Sequence, residues 1–148
     1  MHLVEVGDER ILLDCGKDRT GFGRNRKDSV SFPFDPSTIT AVVLSHAHID
    51  HCWHLHDLVR HGFDGPIYCS PPTNDLLEVM LSRSARIQED ELRVDRLLNH
   101  RSRDPHSSPV SLTEEVLLST VPVPYGREIA ITDNVQLQLY DAGHILGS

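Results

Sequence analysis

The chain has 148 residues, 39% of them hydrophobic and 24% charged, which fits one globular domain with an ordinary core. A formal net charge of −8 argues against nucleic-acid binding through a broad basic surface. No apolar run is long enough to cross a bilayer, and the N-terminus lacks the basic-then-apolar layout of a signal peptide, so the cytoplasm is the expected compartment.

In chain order, His2 to Val6 and Arg10 to Asp14 read as two short strands joined around Gly7 and Asp8. Gly16 to Ser37 holds several glycines and prolines and neither period, which predicts a long loop; its Arg24, Arg26 and Lys27 suit a charged surface or a phosphate backbone equally well. Ile39 to Ser45 is a continuous apolar, β-branched run, the pattern of a central strand covered on both faces. Leu55, Leu58 and Val59 then recur at helical spacing up to Gly62, and Pro66 to Cys69 looks like another buried strand. Pro72 to about Asn99 predicts two amphipathic helices. Beyond a polar break over Arg101 to Pro109, Ser111 with Glu114 resembles a capping box opening a short helix through Leu118. Val135, Leu137 and Leu139 alternate with polar residues as in a half-buried strand, which delivers the chain to Asp141 and His144.

The chemistry is concentrated in Ser45-His-Ala-His-Ile-Asp-His51, directly after the central strand. Ten histidines are present, and His46, His48, His51 and His54 fall within nine residues, a density that packing does not explain. Side chains two apart on extended backbone share a face, so His46 and His48 can reach one ion. Asp50 and His51 begin the next turn and can reach a neighbouring one. A catalytic zinc takes three protein ligands and keeps one position open, so a further ligand is needed, and His144 is the candidate because it too follows a strand. Asp14 is either a strand-terminal turn residue or a carboxylate that orients a ligating histidine. His54, His56 and His61 read as a solvated helix face. Cys15, Cys52 and Cys69 are odd in number and lack CxxC spacing, so they are expected to be reduced, buried thiols.

Ile11-Leu-Leu-Asp-Cys-Gly16, the segment 45 to 51, and Asp141-Ala-Gly-His-Ile-Leu-Gly-Ser148 resemble the motifs of metallo-β-lactamase-fold hydrolases. The last segment, with Gly65-Pro-Ile-Tyr-Cys-Ser-Pro-Pro72, Ser84 to Glu89 and Val123-Pro-Tyr-Gly126, resembles the β-CASP branch of RNA-processing nucleases, in its bacterial exonuclease-like members. The resemblance implies an α/β architecture, the metallo-β-lactamase αββα sandwich. It further implies that residues 1 to 148 are an N-terminal part of that domain, with a first strand and the second half lying outside and the β-CASP domain absent from this stretch.

The resemblance also implies two zinc ions or other divalent metals. His46, His48 and His144 would hold one, Asp50 and His51 the other, with Asp14 behind them and Asp50 also serving in catalysis. A zinc-bound hydroxide would cleave phosphodiester bonds in RNA, or in single-stranded DNA. Alternatives from the same residues are a hydrolase of thioesters or lactams and a catalytically silent scaffold in an RNA-processing complex. The sequence departs from the family pattern at Trp53, His54 and His56, where a small glycine and a proline are usual; an aspartate bridging the metals is expected beyond Ser148.

Overall fold

The computed structural model describes residues 1–16, 32–99 and 109–148. Strands β1 (His2–Val6) and β2 (Glu9–Leu13) pair antiparallel, with Leu3 opposite Leu12. The turn between them uses Gly7 at a φ of 59°, a left-handed conformation open to glycine without steric cost. From β2 the sheet continues in parallel through β3 (Ala41–Val43), β4 (Ile67–Cys69) and β5 (Thr120–Pro122), in the order β1-β2-β3-β4-β5. β3 is the middle strand and all three of its residues are buried, as its unbroken apolar run predicts.

Because successive strand residues face opposite ways, the sheet builds two cores. Leu12, Val42, Leu44 and Ile67 face one side, against Leu55 and Leu58 of α2 (Leu55–Arg60), Leu77 and Leu81 of α3 (Pro71–Asn99) and Val116 of α4 (Pro109–Leu118). Ile11, Ala41 and Val43 face the other side, where Ile131, Val135, Leu137 and Leu139 cover them. Those residues belong to or flank a second, two-stranded sheet of β6 (Glu128–Ala130) and β7 (Gln136–Gln138), paired antiparallel. The bend of that hairpin is tied to the main sheet where Thr132 Oγ1 donates to Glu9 Oε2 at 2.6 Å. The result is a mixed α/β layering of helices, a mostly parallel sheet and a small second sheet, in keeping with the expected sandwich.

Several elements differ from the sequence reading. Residues 71–99 form one helix, not two, since no glycine or proline interrupts Thr73 to Asn99. Its buried stripe runs through Thr73, Leu77, Leu81 and Ala85, whereas Ile87 lies exposed. α4 opens at Pro109, two residues before the capping-box serine, because proline's fixed φ and missing N–H suit a first helical turn. β5 and β6 go beyond the sequence reading: Thr120-Val-Pro122 ends in a proline and Glu128-Ile-Ala130 holds a single large apolar residue, so neither shows the unbroken apolar run that marks β3. Most of the long loop, with Arg24, Arg26 and Lys27, and the polar break up to residue 108 lie outside the described residues. Among the described residues no helix is long and apolar enough to cross a membrane.

Candidate metal centre

The carboxyl ends of β2 and β3 lie side by side and deliver the first two segments of the site. After β2 the chain turns at Asp14, whose φ of 59° is left-handed, a region aspartate tolerates better than most residues. The turn is held because Asp14 N donates to Val43 O at 2.9 Å, while its Oδ1 accepts from Ser45 N at 2.8 Å. Its Oδ2 accepts from Ser45 Oγ at 2.9 Å and lies 2.8 Å from His51 Nδ1. Asp14 is therefore a turn residue, as one of the two sequence readings has it, and its carboxylate also touches the ring of His51.

After β3 the chain bends at Ser45 and Ala47, and the one-turn helix α1 (Ile49–Cys52) starts from an extended His48 at φ −65° and ψ 147°. This segment brings His46 and His48 together, Nε2 of the first 3.0 Å from Nδ1 of the second. His51, one helical turn on, brings its ring centroid to 4.0 Å from that of His46. Its Nε2 is 3.8 Å from Asp50 Oδ2.

His144 arrives from the second sheet, on a loop that folds back on itself. Gly143 takes a φ of 65° and donates its N–H to Asp141 Oδ1 at 2.8 Å. Ser148 Oγ accepts from His144 N at 3.1 Å and from Ile145 N at 3.2 Å, and Ser148 O accepts from Ala142 N and from the Tyr125 hydroxyl. The carbonyl of Gly147 accepts from Ser70 Oγ and Thr73 Oγ1 at the start of α3, so the loop is anchored to the main body. This places the His144 ring 5.0 Å from that of His46 and 5.3 Å from that of His48.

One ring nitrogen from each of His46, His48 and His144 lies within 4.8 Å of the others. This donor set suits a divalent ion: two imidazoles sharing a tetrahedral zinc at about 2.0–2.1 Å hold their nitrogens roughly 3.3 Å apart, close to the 3.0 Å between His46 and His48. The His144 ring is exposed. A ligand must also be unprotonated. Burial, followed by the charges of His51 and His48, lowers the pKa of His46 and favours that form. Thiolate ligation is disfavoured: burial pushes the Cys52 and Cys69 thiols up to about 12, and all three cysteines are buried and free.

The neighbouring histidines do not form the solvated face read from the sequence. His56 is 1% exposed, points between α2 and α4, and pairs through Nε2 with Thr113 Oγ1 at 2.9 Å. Sequence periodicity missed this because α4, which covers it, lies more than fifty residues downstream. His54 is half-buried, 3.1 Å from Asp57 Oδ2, and only His61 is exposed. For Asp57, burial raises the carboxyl, but the hydrogen bond with His54 and the charges of Arg60, His54 and His56 outweigh it and the net shift is downward. Trp53 is half-buried at the end of α1. The sequence reading passed over Ser45, whose hydroxyl touches Asp14, His46 and His51, and Gly16, which packs on the backbone of Asp50; no spacing rule singles out either.

Comparison with known proteins adds three findings. Residues 9–140 match the model of the Beta-lactamase superfamily domain. The chain is 32% identical over 145 residues to transcription termination factor FttA of Methanocaldococcus jannaschii, covering 98% of this chain and 21% of that protein. It is 34% identical over 148 residues to ribonuclease TTHA0252 of Thermus thermophilus, covering 99% of this chain and 30% of that protein. The chain thus spans less than a third of the length of these curated relatives.

Proposed function

This chain belongs to the beta-lactamase superfamily, and on that footing we propose that it carries the metal centre of a β-CASP-type hydrolase that cleaves phosphodiester bonds in RNA. The observation that carries the reading is the convergence of His46, His48 and His144 from two separate sheets, beside a His51 and Asp50 pair. A ribonuclease among the relatives supports the substrate class. On this reading the three imidazoles hold one zinc, and Asp50 and His51 hold a second. When bound, such ions supply Lewis-acid polarisation of a phosphoryl oxygen and an activated water.

The residues of the chain do the rest. Asp14 fixes His51 by a 2.8 Å contact to Nδ1, leaving Nε2 free on the side of Asp50. Asp50 accepts a hydrogen bond from the attacking water and orients it. The overall charge of −8 is no obstacle, because the phosphate is drawn to the ions and not to the protein surface. In this reading residues 1 to 148 are one part of a metallo-β-lactamase domain, and the protein works in the cytoplasm.

A second reading, a silent scaffold in an RNA-processing complex, draws on the termination factors among the relatives and on Trp53, His54 and His56 beside the site. One experiment separates the two. The protein in its native reading frame is incubated with RNA, with and without a chelator, next to His48→Ala. Cleavage that the chelator and the variant both abolish supports the hydrolase. Zinc uptake with RNA left intact supports the scaffold.

A further inference from the structure

We propose that Ser45 is a positioning residue: its hydroxyl carries the hydrogen bonding of Asp14 on to His46, so that one carboxylate sets the tautomer of two imidazoles. The inference rests on reading the three imidazoles as a metal position. Ser45 Oγ lies 2.9 Å from Asp14 Oδ2, 2.9 Å from His46 Nδ1 and 3.2 Å from His51 Nδ1. A serine hydroxyl has one proton to give and two lone pairs. A carboxylate oxygen only accepts, so at 2.9 Å the proton goes to Asp14 Oδ2, since the reverse leaves two acceptors facing each other.

The lone pairs of Ser45 Oγ are then turned to the ring nitrogens. His46 Nδ1 must carry a proton to meet them, which leaves the lone pair on Nε2, the atom that faces His48 Nδ1 at 3.0 Å. His51 obeys the same logic one bond closer: its Nδ1 faces Asp14 Oδ2 directly at 2.8 Å. Asp14 thus controls His51 without an intermediary and His46 through Ser45. Removing the hydroxyl should release His46 alone.

The test is a long-range proton–nitrogen correlation spectrum of the imidazoles in the zinc-free chain, for wild type, Ser45→Ala and Ser45→Thr. Wild type should carry the proton on Nδ1 in both His46 and His51. Ser45→Ala should move His46 to a mixture of tautomers and leave His51 unchanged, and Ser45→Thr should restore the wild-type pattern. Zinc titration should show affinity at the three-imidazole position about 10- to 100-fold weaker in Ser45→Ala and recovered in Ser45→Thr. A wild-type spectrum with His46 protonated on Nε2 overturns the proposal, and needs no variant to fold; so does an unchanged His46 in Ser45→Ala. The expected tautomers in a wild type that binds no zinc would uphold the relay and overturn the metal reading instead.

Discussion

A Cβ built on Gly16 would sit 1.7 Å from the carbonyl oxygen of Asp50. The close approach continues on both sides, with Cys15 N donating to His51 O at 2.7 Å and His54 N donating to Cys15 O at 2.8 Å. The end of β2 is therefore clamped backbone to backbone onto α1, and the clamp sets where Asp50 and His51 stand. Gly16→Ala cannot relax by turning a side chain away, because the obstacle is main chain. It should destabilise the chain by about 3 kcal/mol or more, seen as a lower denaturant midpoint, with zinc uptake falling in parallel. A midpoint within experimental error of wild type would mean that the clamp is not rigid.

His48 and His56 should part company. His48 is exposed, so His48→Ala should leave the folded chain intact while its metal-to-chain ratio in elemental analysis drops by at least half. His56 is buried against α4, so His56→Ala should cost about 2–4 kcal/mol of stability by opening a cavity and removing the contact with Thr113, yet leave the ratio unchanged. Metal loss in His56→Ala under folding conditions would place that histidine in the centre after all.

His56 also gives a pH dependence of definite sign. Burial, against the opposing pull of Asp57, lowers its pKa from 6.5 to about 4. Between those values the unfolded chain binds a proton that the folded chain refuses. The stabilisation is fully present above pH 6.5, falls as the pH drops towards 4, and changes no further below that. The loss is on the order of 3 kcal/mol over that interval. Denaturant unfolding of the metal-free chain at pH 7 and pH 4.5 should show a larger drop for wild type than for His56→Gln. Equal drops in both would show that the His56 ring is not held neutral.

Gly147 governs His144 from a distance. It adopts a φ of +86°, and a Cβ there would lie 2.5 Å from Thr73 N. Gly147→Ala should lift the 141–148 loop off α3 and carry His144 away from His46 and His48. Zinc affinity should weaken roughly tenfold or more, while the circular dichroism of the helices is preserved. Unchanged affinity would mean that His144 takes no part in binding.

The sequence by itself determined the local features of this protein. Alternation and β-branched runs disclosed the first hairpin and the buried strand β3, because strand period is a property of adjacent residues. The crowding of His46, His48, Asp50 and His51 marked a candidate cluster for the same reason: four donors within six positions need no tertiary fold to be near one another. The single helix over 71–99 was within reach too, since the absence of breakers was plain, but the long polar stretch blurred its period.

What only the tertiary structure decided is which residues from elsewhere join that cluster and which leave it. The anchoring of Gly147 on Ser70 and Thr73 brings His144 to within ring contact of His46, across nearly a hundred residues of chain. Parallel pairing of β2 with β3 sets the strand-end carboxylate of Asp14 beside Ser45 and His51. The packing of α4 on α2 withdraws His56 from the surface to which a helical wheel assigns it. In each case the deciding contact joins segments far apart in sequence. Its geometry depends on how whole layers pack, a quantity that no local period of residues encodes.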